Sequence, residues 1–196
     1  MPYDYTDAPP PRAPDLIPDT TATISMHIRA GGIGEDGMYK RSGNGECEGL
    51  ELEFTVIDGP YKGRKFWDNF LLLVGTTDGQ KAMADTNRLI LKAILDSSLG
   101  LDPNDKSAEA RAARTVSIRR FEGMPFIGRI GVEKGGPNKN GGFWPDKNCL
   151  AGVITKDMRE WYPVEQPPPF NGGGAPPASA PPQSAPPVQR PGWAQS

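Results

Sequence analysis

The chain has 196 residues, 46 of them glycine or proline (24 and 22), and a net charge of −2. Its longest apolar run, Phe70-Leu71-Leu72-Leu73-Val74, is far too short to span a membrane. Two cysteines are too few for a disulfide framework, and one histidine with two distant cysteines gives no zinc spacing.

Proline divides the chain. Six prolines lie in residues 1–20, eleven in residues 163–196 and five between. Residues 1–20, net −3, read as a disordered acidic arm. Residues 163–196 read as a disordered Pro/Ala/Gly-rich tail of linker composition. The tail ends in Pro191-Gly192-Trp193, and Trp193 is a candidate docking tip for a partner protein. Residues 21–162 read as one globular domain, long enough to bury a core. The N-terminus lacks a basic start followed by an apolar stretch, so no secretory signal is read, and two reduced thiols in a cytoplasmic protein are the expectation. A single Cys47–Cys149 disulfide stays open.

Within the body, Thr21 to Ala30 alternates Ile24, Met26 and Ile28 with Ser25, His27 and Arg29, a strand pattern. Residues 31–47 hold six glycines and predict a long loop. Gly49 to Ile57 alternates again, with Leu50, Leu52, Phe54 and Val56 on one face and Glu51, Glu53 and Thr55 on the other. A turn at 58–63 leads to a third strand, Arg64 to Val74, as in a hairpin. In that strand Phe66 and Trp67 are neighbours, and alternation alone does not say which faces the core.

The period then changes. Thr77-Asp78-Gly79-Gln80 has the form of a capping box, and Lys81 to Leu99 predicts a helix closed by Gly100. Asp85, Arg88, Lys92 and Asp96 form its polar stripe, while Leu89, Ile90, Ala93, Ile94 and Leu95 cover most of the rest. Residues 107–114 predict a short helix. Arg111, Arg114, Arg119 and Arg120 read as a solvated helix and its exit. Met124 to Glu133 is a fourth strand, 134–146 a second glycine-containing loop, and Asn148 to Thr155 a fifth strand.

Three strands, a helix and two strands, with long loops after the first and fourth strands, match a five-stranded OB-fold-like barrel. The fold class is thus mainly β with helices (α+β). In such a barrel the two loops flank an oligonucleotide-binding face.

The chemistry of catalysis finds little support, and no enzyme and no cofactor are expected. Gly32-Ile33-Gly34-Glu35-Asp36-Gly37 has the G-x-G-x-x-G form, but no helix follows to present free amides to a pyrophosphate. His27 has no serine or cysteine partner at a recognisable spacing. Glu46, Glu48, Glu51 and Glu53 read as a solvated strand face. Sequence-tolerant binding of a single strand instead needs cations for phosphates and aromatic faces for bases. These types interleave at Tyr39, Lys40 and Arg41; at Lys62, Arg64, Lys65 and Trp67; and at Lys139, Phe143, Trp144 and Lys147.

The segment Asp58-Gly59-Pro60-Tyr61-Lys62-Gly63-Arg64-Lys65-Phe66-Trp67-Asp68-Asn69-Phe70 resembles the signature of a family of mostly uncharacterised phage and prophage proteins, themselves similar to phage single-stranded DNA-binding proteins. Ala93-Ile94-Leu95-Asp96-Ser97-Ser98-Leu99-Gly100-Leu101-Asp102-Pro103 and the Pro-Gly-Trp end are also similar to that family, and the likeness spans roughly residues 22–155. The resemblance implies a small, non-enzymatic, OB-like protein of phage or prophage origin that supports replication or recombination in the cytoplasm of a bacterial host. The expectation is a single-stranded DNA-binding protein with no membrane association. The alternative is an OB-like interaction module for a replication or recombination complex. The acidic tip found on bacterial single-strand binding proteins is absent here.

Overall fold

A computed structural model describes residues 15–34, 36–43, 45–138 and 141–165. The expectations for most of the two arms, and for Lys139 and Trp193, lie outside the described residues.

Among the described residues, six strands, two α-helices and one 3₁₀ turn follow in the order β1 (Thr20–Arg29), β2 (Lys40–Arg41), β3 (Glu48–Val56), β4 (Lys65–Val74), α1 (Asp78–Leu99), α2 (Ala108–Arg114), the 3₁₀ turn (Ile118–Phe121), β5 (Pro125–Glu133) and β6 (Lys147–Val153). All pairings are antiparallel and form one sheet. Across it the strands run β4-β3-β1-β5-β6. β2 pairs with Glu48 and Gly49, on the edge of β3 that β1 uses further along. The loop after β1 is therefore an insertion in a strand row. The chain leaves β1 at Ala30, bridges Ile33 to Tyr39, and returns as β2 before a tight turn into β3. The single long loop expected over 31–47 is split by this short strand, whose two residues are too few to show a period.

Alternation sets the two faces of the sheet. Ile24, Met26, Ile28, Leu50, Leu52, Phe54 and Val56 are all buried in the main core. Phe66 joins them, stacked on Phe54 with ring centroids 5.1 Å apart, and Phe126 meets Phe54 edge-on at 6.1 Å. Each of these rings contributes roughly 1.5–3 kcal/mol by burial. Trp67, one residue on, points the other way. The body also reaches back before residue 21. Ile17 is fully buried, and its backbone N–H and C=O both bond to the Asn148 side chain.

α1 packs on the core side of β4, β5 and β6 through Leu91, Ile94 and Leu95. Thr77 and Gln80 make the reciprocal capping box, and Gly100 ends the helix at φ 65°. Among the described residues no hydrogen-bonded ladder joins β4 to β6, so the sheet is open. The side chains of Asn87 and Arg88 occupy the carbonyls of Leu72 and Leu73 on the β4 edge at 2.8 Å each. These contacts blunt that edge against further pairing.

Three readings of α1 and α2 are corrected here. Asp96 is not on a solvated stripe. It is 0% exposed and accepts from Lys92 Nζ and Arg114 Nε, both at 2.6 Å. Arg114 is not a solvated cation either, for it also donates to the carbonyls of Asp102 and Asp105. The pair locks the 100–107 connection and α2 onto α1. Leu89, by contrast, is exposed rather than packed.

Candidate nucleic-acid interface

The outer face of β1, β3 and β4 carries the side chains opposite the core. Register places His27 beside Glu53 and Glu53 beside Trp67, so one row crosses three strands. A second row sets Arg29 beside Glu51. Glu51 accepts from Arg29 at 2.7 Å and from Lys40 at 2.5 Å. Glu53 accepts from Lys65 at 2.5 Å and from the Trp67 indole N–H at 3.1 Å. Arg41 donates to Glu48 at 2.6 Å. His27 meets Glu122, which also takes the Ile28 N–H at 2.9 Å.

The acids are thus the centre of a lattice rather than a plainly solvated face. The hydrogen bond from Lys40 holds the Glu51 carboxyl below its ordinary range, and its charge and that of Arg29 add to the effect. The hydrogen bonds from Lys65 and then Trp67 do the same for Glu53. Four cations (Arg29, Lys40, Arg41, Lys65) against four carboxylates (Glu48, Glu51, Glu53, Glu122) leave no net charge from these side chains on this patch. A phosphate arriving here competes with carboxylates already in place.

The remaining nominated residues divide. Lys62 is exposed in the β3–β4 turn, with no ion pair among the described residues. Arg64 has the parity of Phe66 and pairs with Asp15 at 3.0 Å, away from the outer face. Tyr39 is half-buried against the main core, its ring over Gly34. Arg119 and Arg120 follow from the 3₁₀ turn beside His27 and Glu122, also without an ion pair among the described residues.

The β5–β6 loop presents Phe143 and Trp144, 68% and 65% exposed. Asp146 closes its base, accepting from Lys134 at 2.8 Å and from the Gly135 N–H at 2.9 Å. Lys147 pairs with Glu133 at 3.1 Å. Trp144 donates its backbone N–H to the Gly136 carbonyl at 2.7 Å. A Cβ on Gly135 would lie 1.7 Å from the Trp144 carbonyl oxygen, so only glycine allows that approach. A cleft of about 430 Å³ opens between residues 133–137 and Trp144, Pro145 and Lys147.

Register also fixes where the loops sit. β1 ends at Arg29 beside Glu51, where the first insertion begins. β5 runs past Thr20 from Ile130 onward, so the second loop lies beyond the other end of β1. β1 has ten residues, about 30 Å of strand. Trp67, 45% exposed, lies on the outer face between those ends.

The structure therefore brings Lys40, Lys65 and Trp67 onto one face, sets Phe143, Trp144 and Lys147 at one end, and takes Tyr39 and Arg64 away. Arg29, His27 and Glu53 were missed as site residues. A hairpin reading already sets acids of one strand opposite bases of the next, and that was the available signal. No helix among the described residues is long and apolar enough to cross a membrane, and no group of three metal-ligating side chains occurs among them. Comparison with family models, with curated proteins and with solved structures gives no match to this chain.

Proposed function

We propose that this chain is a sequence-tolerant single-stranded DNA-binding protein of the phage and prophage group it resembles. It acts without catalysis in replication or recombination, in the cytoplasm of a bacterial host. Its fold is read as an OB-like barrel left unladdered between β4 and β6. The strand row β4-β3-β1-β5-β6, with a helix between the third and fourth long strands, supports that reading.

The carrying observation is the exposed Trp67 ring on the outer face of the sheet. An indole of this size left open in mid-strand, with its N–H already satisfied by Glu53, is a stacking platform worth roughly 1–3 kcal/mol per base. Phe143 and Trp144 supply two further rings beyond the sheet end. The strand would lie along the outer face, with bases on the rings and phosphates near Lys62, Arg119 and Arg120. Grip comes chiefly from stacking, because most other cations are held by carboxylates.

That same pairing favours a second reading, an OB-like interaction module that binds a replication or recombination protein and no nucleic acid. Anisotropy of labelled oligo-dT at low salt separates the two. The DNA reading requires saturable binding that weakens in Trp67→Ala and in Trp144→Ala. No binding with protein well above micromolar overturns it in favour of the second.

A further inference from the structure

We propose that Glu53 makes the Trp67 platform selective for bases that carry an exocyclic amine beside a bare ring nitrogen, so that cytosine is favoured over thymine. This deepens the single-stranded DNA reading and rests on it.

The outer face departs from what phosphate binding alone would build. Acids stand at its centre, where a surface made for phosphates would carry bare cations. Glu53 is beside Trp67 in register, and its Oε2 accepts the indole N–H at 3.1 Å. An indole N–H lies in the plane of its ring. The carboxylate oxygen therefore sits at the rim of the platform, and a base stacked with the usual offset carries its edge over that rim. The same negative charge keeps phosphates off the ring, so the base rather than the backbone lies here.

Lone pairs define what Glu53 can read. The hydrogen bonds from Lys65 and then Trp67 hold its carboxyl below the ordinary range, so at neutral pH it accepts and cannot donate. A carboxylate has about four acceptor sites. Among the described residues, Lys65 takes one on Oε1 and Trp67 one on Oε2. About two remain for a ligand. Glu51 differs, because both of its oxygens are held by cations and it stands opposite Arg29 rather than a ring.

Cytosine presents its N4 amine next to the bare ring N3, and adenine presents N6 next to N1. The amine donates to Glu53, a pairing that base readout uses elsewhere. Lys65, on the other carboxylate oxygen, is placed to donate to the ring nitrogen. Thymine reverses that order. Its O4 carbonyl meets the carboxylate and its N3–H meets the ammonium, acceptor on acceptor and donor on donor. One selective position among several stacked bases leaves binding sequence-tolerant as a whole.

Anisotropy titrations of labelled oligo-dT, oligo-dC and oligo-5-methyl-dC of one length, at low salt and mildly alkaline pH, test this. Thymine and 5-methylcytosine share ring size and methyl group, so their ratio reads the hydrogen-bonding edge and not the stacking. Wild type should bind both cytosine oligomers about 2–10-fold tighter than oligo-dT, the worth of one net hydrogen bond. Glu53→Gln should abolish that preference without lowering oligo-dT affinity, because an amide can turn either its donor or its acceptor to the base. Glu51→Gln should leave the preference as in wild type. Equal binding of 5-methyl-dC and dT by wild type, or tighter binding of dT, overturns the inference and leaves the DNA reading standing. A preference that survives Glu53→Gln, or affinities that fall in parallel in that variant, overturns it equally. Absence of binding to all three oligomers removes the DNA reading itself, and this inference with it.

Discussion

Asp96→Asn removes one negative charge from the clamp between α1 and α2 and keeps its shape. Asp96 is fully buried, and both of its cations sit at 2.6 Å. The Arg114 side chain is 13% exposed, so water cannot replace the lost carboxylate. Removing one member of such a buried pair costs about 3–5 kcal/mol. Arg114 keeps the Asp102 and Asp105 carbonyls, which places the loss near the low end, about 3 kcal/mol. For a chain of this size that lowers the thermal midpoint by about 6–12 °C. Arg114→Met should cost about as much, because it strips two carbonyls and leaves Asp96 with Lys92 alone. Lys92→Met should cost about 1 kcal/mol or less, since that side chain is well exposed and its charge is screened. Urea unfolding of the three single variants and of Asp96→Asn/Arg114→Met gives the ranking and the coupling. Losses under about 1 kcal/mol for both Asp96→Asn and Arg114→Met would refute the clamp.

Neighbouring residues in β4 should part company. Phe66→Ala should destabilise by about 3–5 kcal/mol. Trp67→Ala should keep the fold and weaken oligo-dT binding by roughly 5–150-fold, the equivalent of one lost stacked base. Acid should weaken the outer lattice. Glu51 and Glu53 titrate below their ordinary value of 4.5, so their contribution is complete above that pH and drains as pH falls through the lower folded-state values. Unfolding free energy of wild type should fall more between pH 7 and pH 3 than that of Glu51→Gln/Glu53→Gln. Parallel losses would show that the two carboxylates do not carry the effect.

Local signals made much of the fold legible. Leu50, Leu52, Phe54 and Val56 declare a half-buried strand by alternation alone, and Thr77 with Gln80 and Gly100 bracket α1 within the span of a few residues. What stayed hidden depends on partners far along the chain. Nothing near Asp96 announces Arg114, eighteen residues on, so a buried acid read as one more polar stripe position. Lys40, Arg41 and Lys65 were rightly seen as cations, but the carboxylates that hold them lie on the adjacent strand, and only the register reveals that. The choice between Phe66 and Trp67 was open because both fit a strand. It is settled by Phe54 offering a stacking partner to Phe66 across the pair.

The central claim is that stacking, rather than phosphate neutralisation, holds the single strand. The salt dependence of oligo-dT affinity measures this directly. Among the described residues, the cations near the face without an ion pair are Lys62, Arg119 and Arg120. Three phosphate contacts give a slope of log affinity against log salt of about −2. If Lys40, Arg41 and Lys65 also left their carboxylates for phosphates, six contacts would give about −4. A slope near −2 that persists in Lys65→Met is the predicted result, and a slope of about −4 or steeper contradicts the account.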